Sequence, residues 1–288
     1  MASVLIAGQV PIGKLVGLMR PAPAARVGGL VDGNQAHCDS GRFEDTWGSL
    51  STTTTSRAPL LLPVLTTGAL ALLAAWDSSG LDMALAHLSG GPAGFALRDN
   101  WLLENVLHEG ARKLSWAALV LLCVAVWWPV GPLRLLAQNR RAELAVSTLA
   151  AVLGIVLLKA MNHTSCPWDL VDFGGVARYL SHWAMPAGGD GGGGRCFPAG
   201  HASSGFAFVG GYFVFRNVNP AVARTWLACS LVAGLLLGIG QQLRGAHFMS
   251  HTLWTGWICW AIAWAVDMAW NASQNYSARR LVKSASGR

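Results

Sequence analysis

Charged side chains are scarce in this chain. They account for 12% of its 288 residues, whereas roughly 25% is usual for a soluble domain, and hydrophobic residues account for 53%. So few polar side chains leave too little polar surface for a core of this size, which disfavours a soluble globular protein. The 21 Lys and Arg residues are dispersed and no nucleic-acid-binding motif accompanies them. The net charge of +7 therefore does not indicate a nucleic-acid partner.

Cysteine is also too sparse for a disulfide scaffold. Of the six cysteines, Cys123, Cys229 and Cys259 lie in long apolar segments, where a thiol usually serves as a small packing residue. Cys166 and Cys196 border one loop, and the sequence leaves open whether they form a disulfide or remain free thiols. The H-E-x-x-H motif of zinc proteases is absent, which disfavours that class of metalloenzyme.

Long apolar segments are what the chain has in abundance. A membrane helix needs about 20 predominantly apolar residues, and six segments meet this length with at most one Lys or His in each. The sequence therefore predicts an all-α integral membrane bundle of six transmembrane helices. The six segments are Ala58–Trp76, Ser115–Leu133, Leu144–Asn162, Cys196–Phe215, Thr225–Leu243 and Phe248–Val266.

The distribution of cations predicts the orientation of this bundle. The N-terminal segment, the second and fourth connections and the C-terminal tail together hold 14 of the 21 Lys and Arg residues, but only 6 of the 14 Asp and Glu residues. Short loops rich in Lys and Arg stay in the cytoplasm, so both termini are predicted to be cytoplasmic. Three regions follow: a disordered cytoplasmic extension (1–57), a six-helix membrane domain (58–268) and a basic cytoplasmic tail (269–288).

Three polar clusters interrupt the apolar segments. Lys159 lies near the end of the third segment and His201 near the start of the fourth, while Arg244, His247 and His251 lie where the fifth meets the sixth. If the segments cross the membrane in order, all five residues reach the same face. Ionisable residues at such positions are costly and are candidates for function. Two cations and three histidines on one face suit an anion site for the removal of phosphate from a lipid.

The order and spacing of these clusters resemble the motifs of the type 2 phosphatidic acid phosphatase superfamily, which includes membrane lipid phosphatases and vanadium haloperoxidases. The family pattern is K-x6-R-P, then P-S-G-H, then S-R-x5-H-x3-D. The corresponding elements in this sequence are Lys159-x6-Cys166-Pro167, Pro198-Ala199-Gly200-His201 and Gly240-Gln241-x5-His247-x3-His251.

The resemblance implies a phosphohistidine mechanism that needs no cofactor and no metal ion. His247 would attack phosphorus as the nucleophile, His201 would protonate the leaving oxygen and then activate water, and His251 would orient His247. Phosphate would be held by Lys159 and by backbone N–H groups at Ala199 and Gly200.

Four departures from the pattern bear on these roles. Cys166, Ala199, Gln241 and His251 replace an Arg, a Ser, an Arg and an Asp of the family pattern. Arg244 lies one helical turn beyond Gln241 and is predicted to take the place of the missing Arg.

Other residues are candidates for the remaining missing groups. Arg195 or Arg112 offers another cation, and Asp169 or Asp172 offers the carboxylate that an imidazole at position 251 cannot supply.

The predicted function is a lipid phosphatase of a bacterial-type inner membrane, with its active site on the periplasmic face. Its substrate would be the phosphomonoester or pyrophosphate of a membrane phospholipid, a polyprenyl carrier or lipid A. A lipid phosphotransferase and a non-catalytic lipid-phosphate binder or transporter remain alternatives. So does a metal site, because His247 and His251 have the i, i+4 spacing of a ligand pair that His201 or Cys196 could complete.

Overall fold

The computed structural model describes residues 58–184 and 189–286. The predicted extension 1–57 lies outside the described residues. The described chain is mostly helical, with one two-stranded antiparallel ribbon of β1 (Gly90–Gly91) and β2 (Gly94–Phe95). Its α-helices are α1 (Ala58–Ser78), α2 (Leu81–His87), α3 (Ala111–Val124), α4 (Gln138–Met161), α5 (Ser203–Phe206), α6 (Gly210–Phe215), α7 (Pro220–Leu243) and α8 (Met249–Ser286).

Shorter helical turns join these elements. A π-helix over Leu102–Gly110 runs directly into α3. The remaining turns are 3-10 helices at Gly131–Leu135, Pro167–Asp169, Val171–Phe173 and Ala207–Val209.

Three of the described helices are long and apolar enough to cross a membrane. They correspond to Leu61–Ser78 within α1, to α4 and to α7. These three helices support the prediction of a helical membrane protein. The predicted number of six transmembrane helices stays a prediction. The tail predicted at 269–288 continues α8 as helix to Ser286.

The second predicted segment has the wrong helical boundaries. Helix starts at the π-helix, before Ser115, and ends at Val124 rather than at Leu133. The stretch after Val124 contains Pro129 and Pro132, which lack a backbone N–H, and Gly131 with φ of 49°. These residues end the helix although the segment stays apolar.

The fourth predicted segment is helical only in its second half. Residues Cys196–Ala202 are not helical, and α5, a 3-10 turn and α6 follow one another from Ser203 to Phe215. The short helix α5 lies very close to α7, since a Cβ placed on Gly205 would lie 2.2 Å from the Gly234 nitrogen. Such small residues allow the backbones of membrane helices to approach closely.

The core lies between α4, α8 and the broken helix α5–α6. Ala151 and Ile155 of α4 pack with Phe206 and Phe213 and with Cys259 of α8, and all five are buried. α4 and α8 therefore form the central pair, and the ends of these two helices define the two ends of the bundle.

Buried ion pairs hold one end of this central pair together. Asp267 of α8 is 2% exposed and contacts Arg140 of α4 (Nη2–Oδ1, 3.3 Å) and Arg216 (Nη2–Oδ2, 2.7 Å). Arg140 also pairs with Glu143 (Nη1–Oε2, 2.6 Å) and donates to Asn271 Oδ1 (3.0 Å). We call this group of five residues the ion-pair end.

A disulfide links the two sides of the loop at the other end. Cys166 and Cys196 are bonded, with their Cα atoms 5.1 Å apart. Asn162, directly after α4, braces the same loop, because its Oδ1 accepts the Phe197 N–H (3.1 Å) and its Nδ2 donates to the His182 carbonyl (3.0 Å).

Asp267→Asn is predicted to destabilise the bundle. The change removes the charge that two arginines share, and loss of one partner from a fully buried pair costs about 3–5 kcal/mol. The side chains of Arg140 and Arg216 are 20% and 24% exposed, so we expect about 2–3 kcal/mol. Thermal unfolding in detergent should show a lower melting temperature, whereas Arg224→Gln, at an exposed position of α7, should not. Equal melting temperatures for both variants would contradict this assignment.

Cys166→Ser is predicted to destabilise the loop region. The disulfide spans 30 residues, and closure of such a loop stabilises by about 3–4 kcal/mol in the chain-entropy description. Thermal unfolding should occur at a lower temperature in Cys166→Ser and in reduced wild-type protein. Cys123→Ser, at an exposed free thiol, is the control. If reduction cleaves the bond but leaves the unfolding temperature unchanged, the disulfide does not stabilise this loop.

Candidate functional site

The five predicted polar residues lie at helix termini at one end of the bundle. Lys159 is in the last turn of α4, and His201 is in the turn that precedes α5. Arg244 caps the C-terminus of α7, His247 lies in the link to α8, and His251 is in the first turn of α8. We call this the histidine end; it is opposite the ion-pair end along α4 and α8.

His247 and His251 form a buried pair. They are 3% and 2% exposed, and their ring centroids are 5.7 Å apart at an interplanar angle of 67°. His247 Nδ1 lies 3.5 Å from Cys196 Sγ. The disulfide loop therefore contacts the predicted nucleophile directly.

Lys159 supplies a charge at the centre of the histidine end. Its Nζ lies 3.8 Å from the position that a Cβ on Gly200 would occupy. The ammonium group is near enough to act electrostatically on His201, His247 and His251. Within the described part of the chain, Lys159 has neither an ion-pair nor a hydrogen-bond partner, so its charge is available to a bound anion.

The backbone around Gly200 differs from the prediction at one position. The Ala199 N–H is already donated to Thr255 Oγ1 (3.0 Å) and approaches the His251 carbonyl (3.4 Å), and Ala199 is fully buried. The N–H groups of Gly200, His201 and Ala202 have no hydrogen-bond partner among the described residues. The free backbone donors thus begin one residue later than predicted.

His201 lines a cavity of about 180 Å³. Gly200, Ser203 and Ser204 lie beside it, and Arg112 borders the cavity from α3. Lys159, Arg244 and His247 do not line this cavity, so the structure brings only part of the predicted set around one open space. Among the predicted auxiliary residues, Arg112 is the one placed against His201.

His108 was missed by the sequence analysis. Its ring packs on that of His201 with centroids 3.6 Å apart, and its Nδ1 lies 3.2 Å from Glu109 Oε1. Burial and then the Arg244 charge lower the pKa of His108 from its ordinary value, despite the opposing effect of Glu109. The only sequence signal was the amphipathic character of residues 103–114, which gives no reason to select this histidine.

Arg244 is buried and directed toward the π-helix. Its Nε donates to the Arg98 carbonyl (2.7 Å) and its Nη2 lies 3.6 Å from Glu104 Oε2. The charge of Arg244 still acts on His201 and His108. Arg195, the other auxiliary candidate, is exposed and has a positive φ of 59°, and no ion pair ties it to the histidine end among the described residues.

The predicted carboxylate Asp169 lies elsewhere. Its Oδ2 accepts the Trp168 Nε1–H (3.1 Å), and it lines a cleft with Arg98. Asp172 is exposed. Among the described residues, neither carboxylate contacts His247 or His251.

Two carboxylates from the α1–α2 region approach the histidine end instead. Asp82 is buried and accepts the Ser250 N–H (3.0 Å), the Ser250 hydroxyl and the Trp76 Nε1–H (2.9 Å). It thereby satisfies backbone and side-chain donors in the first turn of α8. Asp77 lies near His182, with Oδ2 3.3 Å from His182 Nε2. No motif spacing in the sequence links these residues to the clusters.

A metal site is the alternative for this pair of histidines. The ligand atoms of Cys196, His247 and His251 all lie within 4.8 Å of one another. Cys196 is bonded to Cys166, however, so its sulfur is not the thiolate that zinc binds. Among the described residues this leaves two imidazoles of the group, fewer than a metal site requires.

Comparison with known families supports the resemblance inferred from the motifs. A family model described as PAP2 superfamily matches residues 141–274, a region that contains Lys159, His201, Arg244, His247 and His251. No significant similarity to a curated protein or to a solved structure was found. The family match over residues 141–274 agrees with the resemblance that the three motif elements predicted.

Proposed function

We propose that this protein is an integral-membrane phosphatase that removes phosphate from a lipid headgroup through a phosphohistidine intermediate. The family match indicates phosphatase chemistry on phosphorylated substrates. The observation that carries the finer proposal is the position of His247: buried, beside His251, and within electrostatic range of Lys159 and His201. A nucleophile surrounded by cationic and neutral N–H donors is suited to attack on a phosphate dianion.

The chemistry requires two balanced steps. In the first, a ring nitrogen of His247 forms a bond to phosphorus while the bond between phosphorus and the leaving oxygen breaks, and His201 gives that oxygen a proton. In the second, His201 removes a proton from water, the hydroxide oxygen bonds to phosphorus, and the N–P bond breaks. Inorganic phosphate leaves, and both histidines return to their initial states.

Two sets of groups stabilise the charge on phosphorus in this proposal. Lys159 and Arg244 supply positive charge, and the unpaired N–H groups of Gly200, His201 and Ala202 supply fixed dipoles. Such preorganised donors act most strongly where water is excluded. The cavity beside His201 admits the leaving group.

The membrane setting is part of the same proposal. Six crossings would be provided by α1, the π-helix with α3, α4, α5–α6, α7 and α8. The ion-pair end would be cytoplasmic and the histidine end periplasmic. The cation distribution supports this orientation, and the disulfide at the histidine end suits an oxidising compartment. The substrate would be a phospholipid, polyprenyl or lipid A phosphate of a bacterial-type inner membrane.

His247→Ala is predicted to abolish phosphate release, because no other group replaces the attacking nitrogen. The assay is release of inorganic phosphate by purified protein from a panel of lipid phosphates. Wild-type activity should survive EDTA and be inhibited by vanadate, while His163→Ala, at an exposed loop position, should behave as wild type. Activity lost on chelation and restored by stoichiometric zinc would overturn this mechanism in favour of the metal site.

Arg244→Ala is predicted to weaken vanadate binding about 10-fold or more, because a charged hydrogen bond to an anion is worth about 1.5–3 kcal/mol. Arg244→Lys should recover only part of the loss, since an ammonium group cannot reproduce the planar donor fork. Arg178→Ala is the control, because it removes an exposed cation from the loop between α4 and α5. Wild-type binding by Arg244→Ala would transfer the role to Arg112, which borders the cavity.

A further inference from the structure

His251 occupies the position at which the family pattern has an aspartate, and its surroundings are apolar. Its Nδ1 is buried and has no hydrogen-bond partner among the described residues. Its ring is bounded by Phe197 (centroids 5.3 Å apart) and Phe248 (5.5 Å), and by His182 (5.2 Å) at an interplanar angle of 84°. Among the described residues, His182 and His247 are the polar rings that pack against His251.

His182 connects this enclosure to a carboxylate. It is 8% exposed and stacks on Phe197 with centroids 4.3 Å apart and an interplanar angle of 20°. Its Nε2 lies 3.3 Å from Asp77 Oδ2. Burial lowers the pKa of His182 from its ordinary value, and the charges of Asp77 and Asp82 act in the opposite direction.

Asp77 is itself held in place from two sides. Its Oδ2 accepts the Trp254 Nε1–H (2.9 Å) from α8 and the Trp183 Nε1–H (3.0 Å) from the loop that carries His182. Trp254 lies one turn after His251 on the same helix. One carboxylate oxygen therefore contacts the loop and the helix that together position the His182 and His251 rings.

We propose that Asp77 is a positioning residue for the predicted catalytic histidines and acts through His182 and His251. The proposal rests on the proposed function of His247. In the order Asp77, His182, His251, His247, each group contacts the next, so the negative charge that the family pattern places beside the nucleophile is supplied from two rings away. The carboxylate acts on His182 electrostatically, because Oδ2 lies close to Nε2 without the geometry of a hydrogen bond, and the His182 ring limits the rotation of His251. It also offsets positive charge as His247 is phosphorylated.

The competing interpretation is that Asp77 is only a structural brace for two tryptophans. Asp77→Asn separates the two, because the amide oxygen still accepts from Trp183 and Trp254 while the charge is lost. Asp77→Glu restores the charge on a longer side chain. Asp172→Asn is the matched control, since it neutralises an exposed carboxylate that does not contact the histidines.

Turnover of a lipid phosphate by these variants is the first measurement. Asp77→Asn should lower kcat about 10- to 100-fold, the range typical of groups that orient a functional histidine. KM should change little, because Asp77 does not contact substrate. Asp77→Glu should recover part of kcat, and Asp172→Asn should match wild type. Equal kcat for Asp77→Asn and Asp172→Asn would overturn the proposal.

The second measurement does not need turnover. In detergent-solubilised protein labelled with ¹⁵N-histidine, Asp77→Asn should shift the ring resonances of His182 and His251, while Asp172→Asn should leave both unchanged. If wild type is inactive but Asp77→Asn shifts these resonances, the proposed function is refuted and the coupling between Asp77 and the histidines is kept. If wild type is active but Asp77→Asn does not shift them, the coupling is refuted.

His182→Phe is the second variant, for the case in which Asp77→Asn does not fold. It keeps an aromatic ring against Phe197 and removes the imidazole that contacts Asp77, and an unchanged kcat would equally overturn the proposal.

Discussion

The start of α8 is the point on which the histidine end depends. His251 lies in its first turn and His247 directly precedes it, so any change in where α8 begins moves both rings. A helix start leaves backbone N–H groups without partners, and here the buried carboxylate of Asp82 accepts from the Ser250 N–H and the Ser250 hydroxyl. This interaction comes from α2, far away in sequence, and it ties the α1–α2 region to the predicted active site.

The two ends of the bundle differ in whether their charged side chains have partners of opposite charge. At the ion-pair end, Arg140 and Arg216 meet Asp267 and Glu143 at short distances, so the charges are balanced within the protein. At the histidine end, Lys159 has no acidic partner in the described part of the chain, and Arg244 lies 3.6 Å from Glu104. Lys159 is half-buried, and removing a cation from water without a counter-ion is costly. The anionic substrate that we propose would balance this positive charge.

The sequence predicted the histidine end because each motif lies at a helix terminus, and order along the chain then determines which end the residues share. The prediction of helical boundaries was wrong where the backbone leaves the helix although the residues remain apolar. Pro129, Gly131 and Pro132 end α3 early, and Cys196–Ala202 forms a loop within an apolar segment. Composition measures whether a segment is apolar, but backbone conformation also depends on missing N–H groups and positive φ angles.

His108, Asp77, Asp82 and His182 could not be found from spacing, because each reaches the site from a segment outside the three motifs. Their contacts exist only after the π-helix packs on α7 and α2 packs on α8. The departures from the family pattern nevertheless indicate that such residues should exist. An imidazole in place of the aspartate at position 251 leaves His247 and His251 without an adjacent carboxylate, so a negative charge that acts on these rings has to come through groups connected to them. As proposed, Asp77 supplies it through His182, on the side of α8 that the motifs do not describe, so we interpret the departure at 251 as a carboxylate that has moved outward and not as one that is lost.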